Sequence, residues 1–318
     1  MWLYALRRIL YAVPIALGVS IICFGLVFLA PGDPLGSLLP PDASQADIEY
    51  LRGVYGFDRP LPVQYFDWLM RVGTGDLGNS IQSGRPVLTE ISHALMNTVL
   101  VSFGAVAIAF SIAFVLGTIA AYHLGTWVDR TVTGMSIAGV SVPNYWFGVV
   151  LVIIFAVEFN LLPAMGMGSA GSENFTIFEW EQLKYAILPI ATMSLVPLGV
   201  IMRNTRSAVA DVLSQDFVQA LRAKGLGEWA VARHTIRNAL PQVLAVMGLQ
   251  FGYLVGGSIL VETIFNWPGT GFLLGKAILT RDVPVVQGVV LVLAICFVIT
   301  NLCVDLIQTA VDPRIKRG

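Results

Sequence analysis

Residues 269–277, GTGFLLGKA, hold the spacing nearest to a phosphate cradle in this chain. A phosphate-binding loop needs a glycine five residues ahead of its Gly-Lys pair and a serine or threonine behind it. Thr270 and Ala277 stand in those places, so nucleotide binding is not expected here. No nucleophile elbow, His-Glu-x-x-His pair or pair of acids inside an apolar run is present. His93, His123 and His234 fall near the ends of apolar runs or in a basic loop, and Cys23, Cys296 and Cys303 lie inside apolar runs without metal-ligand spacing. The expectation is no catalytic residue, no metal site and no cofactor bound by this chain.

Those residues sit in an unusually apolar frame. The 318 residues are 56% hydrophobic and 12% charged, with net charge −1 and a mean hydropathy of +0.76. That charge gives no electrostatic case for nucleic acid, and the composition is that of a membrane protein. Six charge-free runs reach the roughly 20 residues that a spanning helix needs: 9–32, 94–122, 131–157, 185–202, 238–261 and 283–304. The fourth is the shortest and holds Pro189 and Pro197. The first exceeds the 7–15 residues usual for a signal-peptide core, and Pro31 makes a poor cleavage site, so it reads as an uncleaved span. The predicted fold is an all-α polytopic membrane protein with six transmembrane helices.

Charge sorts by alternate loops. Residues 33–93 hold eight acids against four bases, whereas the loop after the fourth span holds six bases against three acids. Arg7 and Arg8 precede the first span, and Arg314, Lys316 and Arg317 close the chain. The positive-inside rule puts both termini and the basic loop in the cytoplasm.

That loop is patterned. Asp216 with Gln219 three residues on has the spacing of a capping box, and Gly225 supplies a C-terminal stop, so Phe217 to Lys224 reads as a two-turn helix. Phe217, Ala220 and Leu221 share one face. So short a helix is marginal alone and must dock on something. The two choices are the lipid interface and another protein; the small residues Ala220 and Gly225 favour protein. A second helix is expected from about Glu228 to Arg237, with Pro241 opening the fifth span.

The pattern Gln219-Ala220-Leu221, three residues, Gly225, then Leu240-Pro241 resembles the cytoplasmic signature loop of ABC importer membrane subunits, departing from it at Gln219, at Leu221 and in its longer Gly-to-Pro spacing. RRILYAVPIALGVSIICFGLVFLAPGDP (7–34), YGFDRPLPVQYFDWL (55–69), GDLGNSIQSGRPV (75–87), SVPNYWFGVVLVIIFA (141–156), ETIFNWPGTGFLLGKAI (262–278), RDVPVVQGVVL (281–291) and VDPRIKRG (311–318) are similar to landmarks of the first permease of the dipeptide/oligopeptide/nickel family. The acidic stretch 166–181 is the least family-like part.

The resemblance implies the type I importer permease fold and a bacterial or archaeal cytoplasmic membrane. It implies a second homologous permease, two cytoplasmic ATPase subunits that hydrolyse ATP with Mg, and an extracytoplasmic solute-binding protein. It divides the chain into a first segment and span (1–32), an extracytoplasmic loop with short helices (33–93), a permease core (94–304) containing the coupling loop 203–239, and a cytoplasmic tail (305–318). Asp216, Phe217, Gln219, Ala220, Leu221, Arg222, Ala223, Lys224 and Gly225 would form the coupling helix and its stop, pushed by the ATPase.

Polar residues within or beside the spans are candidates for the solute path: Asn97, Ser102, Ser111, Ser141, Asn144, Gln250 and Ser258. Each could instead bond helix to helix. Glu262, Asn266 and Trp267, just beyond the fifth span, are candidates for an external gate. No charge sits centrally in any run, which argues against a self-sufficient ion-coupled transporter or channel, the alternative reading.

Overall fold

The computed structural model describes residues 2–29, 44–46, 49–50, 53, 58–168, 175 and 178–311. The described residues are mostly helical. Helix α1 (Trp2–Leu29) is followed, after a segment largely outside the described residues, by the short α2 (Leu61–Gly73) and the long α3 (Val87–Tyr122). Next come α4 (Trp127–Ser141), α5 (Asn144–Leu151) continuing as a π-helix (Val152–Glu158), and α6 (Trp180–Leu213). The rest is α7 (Asp216–Ala223), α8 (Glu228–Gly257), α9 (Ile259–Ile264), α10 (Thr270–Leu279) and α11 (Val283–Val311). The basic tail residues Arg314, Lys316 and Arg317 lie outside the described residues, as do Pro31, Asp33 and part of the acidic stretch 166–181.

Among the described residues, four single helices are long and apolar enough to cross a membrane: Val87–Tyr122, Trp180–Leu213, Glu228–Gly256 and Val283–Thr309. A fifth span results if Trp127–Ser141 and Asn144–Glu158 are counted as one bent pair. Here the structure corrects the sequence reading. The run 131–157 is two helices meeting at 98°. Pro143 has no N–H to donate, and it pushes Val142 out of the helical region to ψ 126. The helix containing the fourth run is longer than expected and passes through Pro189 and Pro197 unbroken. It does so because neighbouring helices flank it, as prolines in spans require.

Packing is centred on α3 and α6, with α4 and α5 flanking α6, α8 against α6, α11 against α8, and α1 against α11. The α3–α6 contact is close because α3 presents Ala105, Ala109, Ala113 and Ala120, all fully buried. Outward positions such as Ile108, Ile112, Val115, Ile295 and Ile299 are apolar and exposed, which suits a lipid-facing surface. A second correction concerns α8. The expected helix 228–237 and the fifth span are one continuous 30-residue helix with Pro241 inside it. The proline is accommodated where α11 packs alongside, and Gln308 Nε2 donates to the Pro241 carbonyl at 3.4 Å.

Candidate functional site

Two clusters collect most of the residues expected to matter, one at each end of the bundle. The first lies at the end carrying Arg203, Arg206, Arg222, Arg233 and Arg237. There α7 runs from Asp216 to Ala223, one residue earlier than predicted. The shift makes Gln215 the N-cap and Asp216 the first helical residue, so the expected capping box does not form and no side chain caps the helix. Asp216 instead places a negative charge in the first turn, where it complements the helix dipole. The stop at Gly225 is present. Its φ is +80°, its N–H donates to the Arg222 carbonyl at 2.9 Å, and the Leu226 N–H donates to the Leu221 carbonyl at 3.3 Å. This paired closure needs the left-handed conformation that glycine adopts without strain.

The faces of α7 are also corrected. Phe217, Val218 and Leu221 point inward, with Val218 fully buried against a core that includes Ala121, Val209, Val212 and Val231. The apolar side thus docks on this chain's own helix ends, which resolves the marginal stability of so short a helix. Asp216, Gln219, Ala220, Arg222, Ala223 and Lys224 are left exposed. Ala220, expected with the apolar face, lies on the open one. Arg222 grips Glu228 at the start of α8 through two bonds of 3.0 and 3.1 Å, and this carboxylate pushes the guanidinium pKa further up.

Two features at this end were missed in the sequence. Asp129, at the start of α4, is buried and accepts from Arg206 Nε and, at 2.9 Å, Arg206 Nη2, fastening α4 to the end of α6. The Gly125 N–H adds a third donor at 3.0 Å. In sequence both ion-pair partners are unremarkable loop charges 77 residues apart. Trp229, in the first turn of α8, is 85% exposed. A tryptophan between Glu228 and Arg233 in a charged segment was the available signal.

The second cluster lies at the opposite end. Glu262 is buried, yet among the described residues no cation pairs with its carboxylate. Oε1 accepts from Ser258 at 2.5 Å and Thr98 at 2.7 Å, and Oε2 from the Phe272 N–H at 3.0 Å. Thr98 also accepts from the Thr270 N–H at 2.8 Å. Beside it, Trp267 Nε1 donates to the Asn97 carbonyl at 3.1 Å, and Asn97 Nδ2 donates to the Pro268 carbonyl at 2.9 Å. The carboxylate therefore caps the start of α10 from α9 while holding α3. A side chain at Gly269 would collide with Glu262 and Thr98, so the turn must be glycine. The stretch GTGFLLGKA is thus the N-cap and most of α10, with its first turn packed on a carboxylate, a site hostile to phosphate.

Asn97, Ser258, Glu262 and Trp267 are brought together in this cluster, and Asn266 sits exposed in its turn at φ +47°. Asn144 and Gln250 are not part of it. Asn144 is the first residue after the Pro143 break, half-buried, and its Oδ1 has no hydrogen-bond partner among the described residues. Gln250 is half-buried on α8. Ser102 is buried without a partner for its hydroxyl among the described residues, Ser111 bonds the Ala107 carbonyl, and Ser141 is exposed at the end of α4. A cavity of about 760 Å³ opens nearby among α1, α2 and α11, lined by Phe24, Trp68, Arg59, Asp67, Pro284 and Gln287. Among the described residues no group of histidines, cysteines and acids could hold a metal ion.

The chain matches known sequences along almost its whole length. Residues 113–317 match the family described as Binding-protein-dependent transport system inner membrane component, and residues 1–102 match the corresponding N-terminal family. A dipeptide transport system permease protein of Alkalihalophilus pseudofirmus is 37% identical over 98% of this chain and 99% of its own. A glutathione transport system permease protein of Salmonella choleraesuis is 38% identical over 98% of both chains. In fold, the chain is similar to a chain of the MetNI methionine ABC transporter, with a TM-score of 0.57 at 17% identity over 70% of this chain and 96% of that one.

Proposed function

The chain belongs to the family of binding-protein-dependent transport system inner membrane components, and we propose on that premise that it forms half of the solute path of an ATP-driven importer. The other half is a second, homologous permease. Two cytoplasmic ATPase subunits drive the cycle with ATP and Mg, and an extracytoplasmic solute-binding protein delivers the cargo. The chain itself is the non-catalytic membrane subunit. In this reading six spans cross a bacterial or archaeal cytoplasmic membrane with both termini inside, α1 and the bent α4–α5 pair completing the set. The cargo is a dipeptide, an oligopeptide or a related small solute, the class named for the dipeptide and glutathione relatives.

The observation that carries this reading is α7. Its apolar face is seated on the ends of α6 and α8, and its open face sets the small residues Ala220 and Ala223 among the polar Asp216, Gln219, Arg222 and Lys224. A push on that face reaches the spans directly, because α7 is fixed to them by Val218, by the Gly225 turn and by the Arg222–Glu228 pair. At the opposite end, Asn97, Ser258, Glu262, Asn266 and Trp267 bound the external mouth of the path, and Asn144 and Gln250 lie deeper along it. Alternating access then takes the usual form, rocking of packed bundles about a central site.

The test is recovery of the tagged chain from its native membrane in mild detergent, read by mass spectrometry. A second permease and two ATPases in the same particle are expected. The chain recovered alone, or only with copies of itself, overturns the reading in favour of a self-sufficient transporter or channel.

A further inference from the structure

We propose that Trp229 is an anchor for the ATPase subunit, extending the contact made by α7 onto the first turns of α8; this rests on the coupling reading above. The first argument is depth. Helix α8 has 30 residues, a length of about 45 Å. The hydrocarbon core takes about 30 Å of it, and the charge-free residues 238–257 are the ones that fit there. Residues 228–237 therefore project by about 15 Å, carrying Glu228, Arg233 and Arg237. The headgroup zone adds only about 5–8 Å on each side of the core. Trp229, at the tip, lies beyond the level where tryptophans settle into interfacial belts.

The second argument is direction. Val231, Thr235, Ala239 and Val243 form the buried stripe of α8. Trp229, Arg233 and Arg237, spaced by four residues, lie on the opposite side and are exposed. The indole thus faces away from its own core, 85% open to water. The third is continuity. Glu228, one residue before Trp229, is the carboxylate that holds Arg222 of α7, so the indole stands on the same helix turn to which α7 is fastened. A large aromatic beside small residues, rimmed by arginines, has the composition of an interface anchor. Its match is an apolar socket with an acidic rim on the ATPase.

The test uses the assembled complex with a photo-crosslinking amino acid placed at 229, at 220 or at 127. Capture of the ATPase subunit from 229 as well as from 220 is expected, with lipid captured from 127, where exposed Trp127 begins α4. Capture at 220 alone, with 229 reaching lipid, its own chain or nothing, overturns the anchor and leaves the coupling reading standing. Capture at neither position overturns both. In parallel, W229A is expected to lower the affinity of the complex for its ATPase by roughly 30-fold and W229F to leave it near the native value. Native affinity in W229A overturns the proposal.

Discussion

The two ends of the bundle solve opposite problems. At the Glu262 end polar groups are turned inward and satisfy one another: a carboxylate, two threonines, a serine, an asparagine and an indole N–H tie α3 to α9 and α10. On α7, at the basic end, the apolar residues Phe217, Val218 and Leu221 are turned inward and the polar or small ones are left exposed. A buried polar cluster is strong only when complete, because each orphaned donor costs the full desolvation penalty. It fixes one geometry. An apolar seat with an open polar face tolerates a partner arriving and leaving. The contrast gives the Glu262 end one fixed geometry and leaves the open face of α7 as the place where the proposed partner would dock.

The comparison can be broken most severely at Glu262. Glu262→Ala leaves the hydroxyls of Ser258 and Thr98 and the Phe272 N–H without their acceptor, and should lower stability by about 3 kcal/mol. The readout is the thermal midpoint of the purified complex; a midpoint equal to the native one would mean the cluster is not what holds α10 to α3. A smaller loss, about 2 kcal/mol, is expected of Asp129→Ala, which strands the Arg206 guanidinium at 29% side-chain exposure. Denaturant unfolding measures it, and the double variant Asp129→Ala with Arg206→Ala should recover part of the loss.

Smaller again is Gly225→Ala, at about 1 kcal/mol from the left-handed backbone at φ +80°. Its larger effect should be on solute-dependent ATP hydrolysis, since the turn sets the angle of α7. Unchanged coupling in this variant would separate α7 from the drive. Ala220→Trp sharpens the contrast from the other side. Its position is open, so the thermal midpoint should hold while ATPase recovery falls. A matched fall in both would show that the face is not free. Arg222→Ala should move stability least, because the pair with Glu228 is exposed and screened by salt. Repeating the melt at low and high ionic strength checks this.

How much of this was legible follows from the range of each signal. The apolar runs, the basic loop and the Gly225 stop are local, and they appear where the residues put them. The Pro143 break was written as Val142-Pro143 but was masked by a long charge-free run, in which hydropathy alone does not separate a straight helix from a bent one. The faces of α7 were misread because Ala220 counts as apolar in a helical-wheel sense, whereas Val218, its neighbour in sequence, is the residue the core selects. The residues of the Glu262 cluster were each visible as polar positions, yet their union joins residues up to 172 positions apart.

By itself the sequence determined that this chain is a polytopic helical membrane protein, where its long charge-free runs lie, and that a short helix with a glycine stop interrupts its most basic loop. These are consequences of burial length, periodicity and backbone preference, which act over a few turns. Tertiary structure alone decided which face of α7 is spent on the chain and which is left over, and that Asp129 meets Arg206. It also decided that a lone buried glutamate is held by hydroxyls and backbone N–H groups from three helices. Hydrogen-bond partners and docking faces are chosen by what the folded chain brings within about 3 Å, and that proximity is not encoded at any one position.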